Sequence, residues 1–138
     1  MKIAFYIASN GYWQDKVVAA SCFSKYSHCE IVFSDGMCGS ASGRDGGVRL
    51  KNITLDDHWD VYELLGKYDE SAIRYWFDIN DADTYDWLGA IGSVLHLDLT
   101  SEDKKFCSYT CAIVLGIDPI ISPGSLFRLL SKEKLINV

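Results

Sequence analysis

Two kinds of hydrophobic spacing divide the chain. Up to residue 65, short runs of β-branched and aromatic residues end at Gly, Asn, Asp or Ser, a pattern that predicts β-strands. A short helix is expected at 14–23, where Val17, Val18 and Cys22 recur at helical spacing. The expected strands are 3–8, 27–33, 37–42, 48–51 and 59–65.

The second half of the chain is predicted to be helical. Gly116 is the residue type favoured just past a helix C-terminus, and Ser122-Pro123 joins a favoured N-cap to a favoured first-turn residue. Strands followed by helices predict one α+β domain that covers residues 1–138. The expected helices are 69–80, 84–95, 107–115 and 122–130.

Composition narrows the class of function. The net charge of −6 argues against a nucleic-acid-binding protein, because such affinity depends on Lys and Arg neutralising phosphates. The apolar run at 3–8 is shorter than a signal-peptide core and far shorter than a membrane span. Five cysteines without a regular framework do not suggest a disulfide scaffold. We therefore expect a cytoplasmic protein with reduced thiols and no membrane insertion.

The candidate chemistry lies in a cysteine and a histidine–glutamate pair. Cys107 is predicted to begin a helix, where the pKa of a thiol is lowered. His28 and Glu30 are two positions apart on a predicted strand, so their side chains share one face. Glu30 can then orient the imidazole while the other ring nitrogen takes a proton from the thiol, as in cysteine and serine hydrolases. Ser108 is small and lets its backbone N–H approach an oxyanion.

Two other uses of these atoms are weaker. A zinc site would need His28, Glu30, Cys107 and Cys111, but a Cys-x-x-x-Cys spacing on a helix is not typical of zinc. A redox pair of Cys107 and Cys111 would normally have two intervening residues rather than three. We therefore expect no metal and no other cofactor. The remaining cysteines are expected to be packing residues: Cys22, Cys29 and Cys38.

In these segments the chain resembles the circularly permuted papain-like (NlpC-type) thiol hydrolases, which include small phage and bacterial amidase-like proteins and the lecithin:retinol acyltransferase-like enzymes. In that group the histidine strand precedes the cysteine helix. Supporting pieces are residues 40–49, 85–90 and 121–124. The matching segments are Tyr26-Ser27-His28-Cys29-Glu30-Ile31-Val32-Phe33 and Phe106-Cys107-Ser108-Tyr109-Thr110-Cys111-Ala112.

The resemblance implies a permuted papain-like fold with an antiparallel sheet packed against helices. It also implies Cys107 as nucleophile and His28 as general base. The third, polar member is left open between Glu30, which we favour on charge, and Ser40 or Ser42. A similarity to small phage-type members is compatible with a phage- or prophage-encoded protein in a bacterial host.

The expected activity is hydrolysis or acyl transfer at an amide or ester bond through an acyl-enzyme intermediate. Peptide, amide and lipid-ester substrates all stay open, as does the oligomeric state. Tyr12 and Trp13 are expected at the substrate rim, together with Ser40 and Ser108, and Arg44 or Arg49 is expected to meet an anionic group. The alternative is a binding or inhibitory protein, compatible with a phage source, that keeps the fold without turnover.

Overall fold

The computed structural model describes residues 1–10, 24–81, 106–118 and 122–138. The strands are β1 (Lys2–Ile7), β2 (Tyr26–Val32), β3 (Met37–Ser42), β4 (Gly47–Asn52) and β5 (Trp59–Glu63). The helices are α1 (Glu70–Ile79), α2 (Cys107–Val114) and α3 (Pro123–Lys132), with a 3-10 turn at Ala8–Asn10. The strands form one antiparallel sheet of order β4-β3-β2-β1-β5, which confirms the α+β class.

Most predicted elements are present, with ends that differ by one or two residues. The last strand was expected to reach Leu65 but ends at Glu63, because the chain terminus takes over the backbone pairing there. Leu64 makes a single bridge to Ile136, and the Leu65 N–H donates to the Leu135 carbonyl at 2.9 Å. The helices expected at 14–23 and 84–95 lie outside the described residues.

One face of the sheet carries the main apolar core. Alternate residues of the central strands, among them Phe5 and Ile31, are fully buried there against the helices. Phe77 of α1 and Leu126 of α3 belong to the same cluster. Gly39 is required on β3 because a Cβ there would lie 2.7 Å from the Phe77 ring.

The opposite face has a smaller apolar cluster. Because β4 and β5 are the edge strands of the described sheet, the chain between them has to cross the sheet, and it does so on this face. Ile53 and Leu55 of that connection pack on Ala4, Val32 and Cys38. Beyond this cluster the face carries polar and charged side chains.

A bulge in β2 decides which side chains face which side. In the register between β1 and β2, Tyr6 pairs with His28 but Ile7 pairs with Tyr26, so Ser27 is the extra residue. Without it, Tyr26 and His28 would point to the same face. With it, Tyr26 lies in the helix-side core, 5.1 Å from the Phe5 ring centroid, and His28 faces the other way.

The ladder between β2 and β3 is short. Only two registered pairs join these strands, Ile31 with Gly39 and Val32 with Cys38. Beyond them the strands separate, and α2 contacts both. This opening lets the first turn of α2 reach the backbone of β2. Within the described residues, none of the helices has the length and apolar character that crossing a bilayer requires.

Candidate active site

The shared strand face predicted for His28 and Glu30 produces a direct contact. His28 Nε2 lies 2.8 Å from Glu30 Oε1. Glu30 is fully buried and its pKa is lowered: burial opposes the charge, but bonds from Arg49 and His28 outweigh it. A carboxylate only accepts hydrogen bonds, so Nε2 carries the proton and Nδ1 is the nitrogen left for another partner.

Arg49 of β4 binds the same carboxylate with both ends of its guanidinium. Its two terminal nitrogens donate to Glu30 Oε2 at 2.7 Å and to Oε1 at 2.6 Å. Its Nε donates to Asp45 at 2.9 Å, and Lys51 donates to the other oxygen of Asp45 at 2.7 Å. A chain of alternating charges thus runs from His28 across the sheet to the β3–β4 turn.

Cys107 meets β2 at the strand edge where β3 has separated. The N–H and the carbonyl of a strand residue point to the same edge, and those of Cys29 face this opening. The Cys29 N–H donates to the Cys107 sulfur. The Cys29 carbonyl accepts from the Ser40 hydroxyl at 2.7 Å and from the Cys111 thiol at 3.7 Å. The backbone groups of Cys29 therefore form hydrogen bonds with sulfur atoms of α2, in the place where a neighbouring strand would offer its own N–H and carbonyl groups.

The position at the strand edge brings Cys107 to His28 and Cys29 together, although these two point to opposite faces. A hydrogen bond from the Cys29 thiol is the strongest influence that lowers the pKa of Cys107 well below its usual value. Burial opposes the shift, and the charge and hydrogen bond of His28 add to it. Burial also raises the pKa of the Cys29 thiol well above its usual value, so Cys29 stays protonated as a donor.

His28 responds in the opposite direction. Burial disfavours its charge, but the Cys107 thiolate and hydrogen bonds to Cys107 and Glu30 outweigh this and raise the pKa of His28 to about 10. The side chain keeps 22% of its surface exposed. The two shifts have opposite directions and together favour a thiolate beside an imidazolium, the activated state of a cysteine nucleophile.

In the part of the chain that the structure describes, no side chain caps the N-terminus of α2. Its N-cap is Phe106, which has no acceptor, whereas Ser, Thr, Asp and Asn are the usual choices. The first N–H groups of the helix therefore lie beside the sulfur without a capping side chain. Ser108, predicted to bring its N–H near an oxyanion, is fully buried, and its Oγ has no hydrogen-bond partner among the described residues.

Aromatic side chains border His28 on its own face. Trp59 of β5 lies edge-on to the imidazole, with 6.1 Å between ring centroids. Tyr6 stands between them in the register of β1 and lies 5.1 Å from the Trp59 ring. These partly buried rings limit the water around the imidazole.

The other residues singled out from sequence fall in different places. Ser40, expected at the substrate rim or as orienter, is fully buried, and its hydroxyl is committed to the Cys29 carbonyl. The position at His28 Nε2 that Ser40 or Ser42 would occupy is held by Glu30. Tyr12 and Trp13 lie outside the described residues.

Two residues of the site were assigned other tasks by sequence reasoning. Arg49 was expected at the rim against an anionic substrate group, but the anion that it binds is Glu30. Cys29 was expected to be a packing residue; it is buried, and it also donates to Cys107. Strand alternation places Arg49 on one face of β4, but only the strand order shows that this face is shared with Glu30.

The ligand atoms of the rival zinc set are not brought together. Among the described residues, the one group of three or more ligand-type side chains within 4.8 Å of one another is Asp56, Asp57 and His58. That group is at the surface, before β5, and His58 is paired with Asp56 at 3.0 Å. Among the described residues, the ligand atoms of His28, Glu30, Cys107 and Cys111 do not form such a group.

Comparison with known proteins adds no relative to this picture. Neither a protein-family model nor a curated protein matches the chain. The chemistry of the site therefore rests on its own atoms: a cysteine at a helix start, an imidazole and a buried carboxylate in contact.

Proposed function

We propose that the protein is a cysteine hydrolase or acyltransferase that acts on amide or ester bonds through an acyl-enzyme. The observation that carries this proposal is the contact of Cys107 with His28, whose other ring nitrogen is held by Glu30 at 2.8 Å. Nucleophile, base and orienter are thus in contact in the order that this chemistry requires.

Acylation begins with the thiolate. The Cys107 sulfur adds to the carbonyl carbon of the substrate, and the carbonyl oxygen becomes an oxyanion near the first N–H groups of α2. The tetrahedral intermediate collapses by breaking the C–N or C–O bond. His28 Nδ1–H gives its proton to the leaving amine or alcohol, and a thioester on Cys107 is left with a neutral imidazole.

Deacylation reverses the roles. Neutral His28 takes a proton from water or from another acceptor at Nδ1, and the resulting nucleophile adds to the thioester carbonyl. The second intermediate expels the Cys107 thiolate, which the reformed imidazolium stabilises. Glu30 keeps Nε2 protonated throughout, so the same nitrogen exchanges the proton in both halves of the cycle.

The order of the elements supports a permuted papain-like (NlpC-type) arrangement as part of the proposal. The strand that bears His28 precedes the helix that begins at Cys107, and both are packed in one antiparallel sheet and helix layer. Unpermuted papain-like enzymes have the cysteine helix first. The carboxylate of Glu30 takes the place of the third polar residue.

The test is covalent labelling and acylation of Cys107. The protein is incubated at pH 6 with iodoacetamide, and separately with activated esters and N-acyl peptide amides, and intact masses and modified peptides are measured. We expect wild type to be alkylated and acylated at Cys107 and Cys107→Ala to show neither. The matched control is Cys111→Ala, one turn later on the same helix, which should be labelled like wild type.

Two results would contradict the proposal. Equal labelling of Cys107→Ala at pH 6 would show that another thiol is the reactive one. A Cys107 thiol with an ordinary pKa near 8.5 would favour the non-catalytic binding protein instead.

A further inference from the structure

We infer that Arg49 is a positioning residue of this site: it holds Glu30 as a carboxylate fixed at His28 Nε2, so that Nδ1 stays turned toward Cys107. The inference rests on the proposed function. Arg49 does not touch the reacting atoms and acts through Glu30.

The geometry fixes both oxygens of the carboxylate. Oε2 accepts one guanidinium nitrogen at 2.7 Å, and Oε1 accepts the other at 2.6 Å as well as His28 Nε2 at 2.8 Å. Two parallel bonds set the plane of the carboxylate as well as its distance. With that plane fixed, one oxygen is aimed at the imidazole and the ring cannot turn without losing the bond.

Burial makes the guanidinium necessary. Glu30 has no exposed surface, and an ionised carboxylate in such a place is kept charged only by paired charges and hydrogen bonds. His28 alone offers a single bond and gives up its charge in each catalytic cycle. Arg49 stays protonated at every working pH, so the carboxylate is held through the step in which the imidazole is neutral.

Arg49 is itself held in place from the turn before β4. Asp45 accepts from Arg49 Nε at 2.9 Å, and only 11% of the Arg49 side chain is exposed. Ser40 stands opposite Arg49 in the β3–β4 register, and its small side chain leaves the path to Glu30 open. The guanidinium is therefore positioned before any substrate arrives.

The charged and titratable groups around this pair come from several elements. The thiols of Cys29, Cys38 and Cys107 come from β2, β3 and α2. The remaining groups are His28 and Glu30 on β2, Asp45 in the β3–β4 turn, and Lys51 on β4. Lys51 lies two residues after Arg49 on the same strand and donates to Asp45, with no hydrogen bond to Glu30 in the described structure. It is therefore a matched cation for a control variant.

The experiment measures how the alkylation rate of Cys107 depends on pH, by peptide mass, in Arg49→Met, Arg49→Lys and Lys51→Met. We expect the Arg49→Met midpoint to move up by about one pH unit or more, a tenfold lower rate at acidic pH. Arg49→Lys keeps the charge but loses the two-point contact, so its midpoint should lie between those of wild type and Arg49→Met. Lys51→Met should match wild type.

A folded Arg49→Met protein with the wild-type midpoint would overturn the inference, as would an equal shift in Lys51→Met. Should Arg49→Met fail to fold, Arg49→Lys carries the test by the same midpoint. In addition, Glu30→Gln should show the same upward shift of the midpoint. If Arg49 acts through Glu30, the double variant Glu30→Gln/Arg49→Lys should show no further shift. These readouts need no substrate, so absence of an acyl-enzyme in wild type would refute the hydrolase separately.

Discussion

The two faces of β2 differ sharply although their residues alternate along one strand. On the helix side, Cys29 and Ile31 are fully buried in the apolar core. On the other side, His28 and Glu30 join a chain of charges that continues through Arg49. The stability of the apolar face depends on the shape and area of its buried side chains. The stability of the charged face depends on each charge keeping its partner.

The two faces differ in how well they tolerate substitutions. A packed apolar face tolerates changes of similar volume, because neighbouring side chains adjust. A buried ion pair does not, because removal of one member leaves the other charged and without compensation. Cys29 joins the two faces, since its thiol lies on the apolar side but donates to the Cys107 sulfur.

The largest expected effect comes from removing the carboxylate of the charged face. Glu30→Leu leaves the guanidinium of Arg49 buried with only Asp45 as a partner, and we expect a loss of about 3–5 kcal/mol in the free energy of unfolding. Urea denaturation monitored by circular dichroism measures it. Ile31→Val, the neighbour on the apolar face, should lose only about 1 kcal/mol.

A control separates burial from charge. Glu63→Leu removes a carboxylate that pairs with Lys2 at 3.2 Å, but both side chains are at least half exposed. An exposed pair of this kind contributes little, so the loss should stay below about 1 kcal/mol. Equal losses in the two Glu variants would show that the buried charges have no special weight.

A second prediction concerns the pH dependence of stability. His28 keeps its proton up to about pH 10 when folded and loses it near 6.5 when unfolded, so its contribution is lost as pH rises through 10. Cys107 has a lowered folded pKa, so its contribution is present above about 8.5 and lost as pH falls. Between about pH 6.5 and 8.5 the raised pKa of His28 and the lowered pKa of Cys107 have opposite effects on stability, so stability should change little there.

Above that range the folded state holds one proton more than the unfolded state, so stability should fall between about pH 8.5 and 10. In His28→Gln this alkaline fall should disappear, since no group of the pair then binds the extra proton. Urea midpoints measured from pH 6 to 10.5 test this. An unchanged fall in His28→Gln would assign it to another group.

The smallest change in stability is expected at the junction of the two faces. Cys29→Ala removes a small buried side chain and one donor to the Cys107 thiolate, while the Cys29 N–H stays in place. The pKa of Cys107 should rise clearly toward its ordinary value, because the Cys29 thiol is the strongest of the influences that lower it. Thiolate absorbance, with that of Cys107→Ala subtracted, measures this rise. Cys38→Ala, a buried cysteine of the other cluster, should leave it unchanged. An unchanged pKa of Cys107 in Cys29→Ala would show that the Cys29 thiol does not donate to the thiolate.

Local pattern was enough to determine several parts of this protein. Period-2 alternation places His28 and Glu30 on one face, close enough for their side chains to reach each other. Glycine past the end of α2 and serine before Pro123 mark helix boundaries, because these positions need a left-handed residue and a cap acceptor. Such features involve neighbours within a few residues, and short-range geometry fixes them.

The contact between Cys107 and His28, in contrast, is determined by the tertiary structure. Three long-range features produce it: the bulge at Ser27, the opening of the ladder beyond Ile31 and the insertion of α2 into that gap. The contact of Arg49 with Glu30 likewise follows from strand order. Both contacts depend on which surfaces the whole chain buries together. All packed elements contribute to that balance of free energy, so no short segment of sequence encodes it.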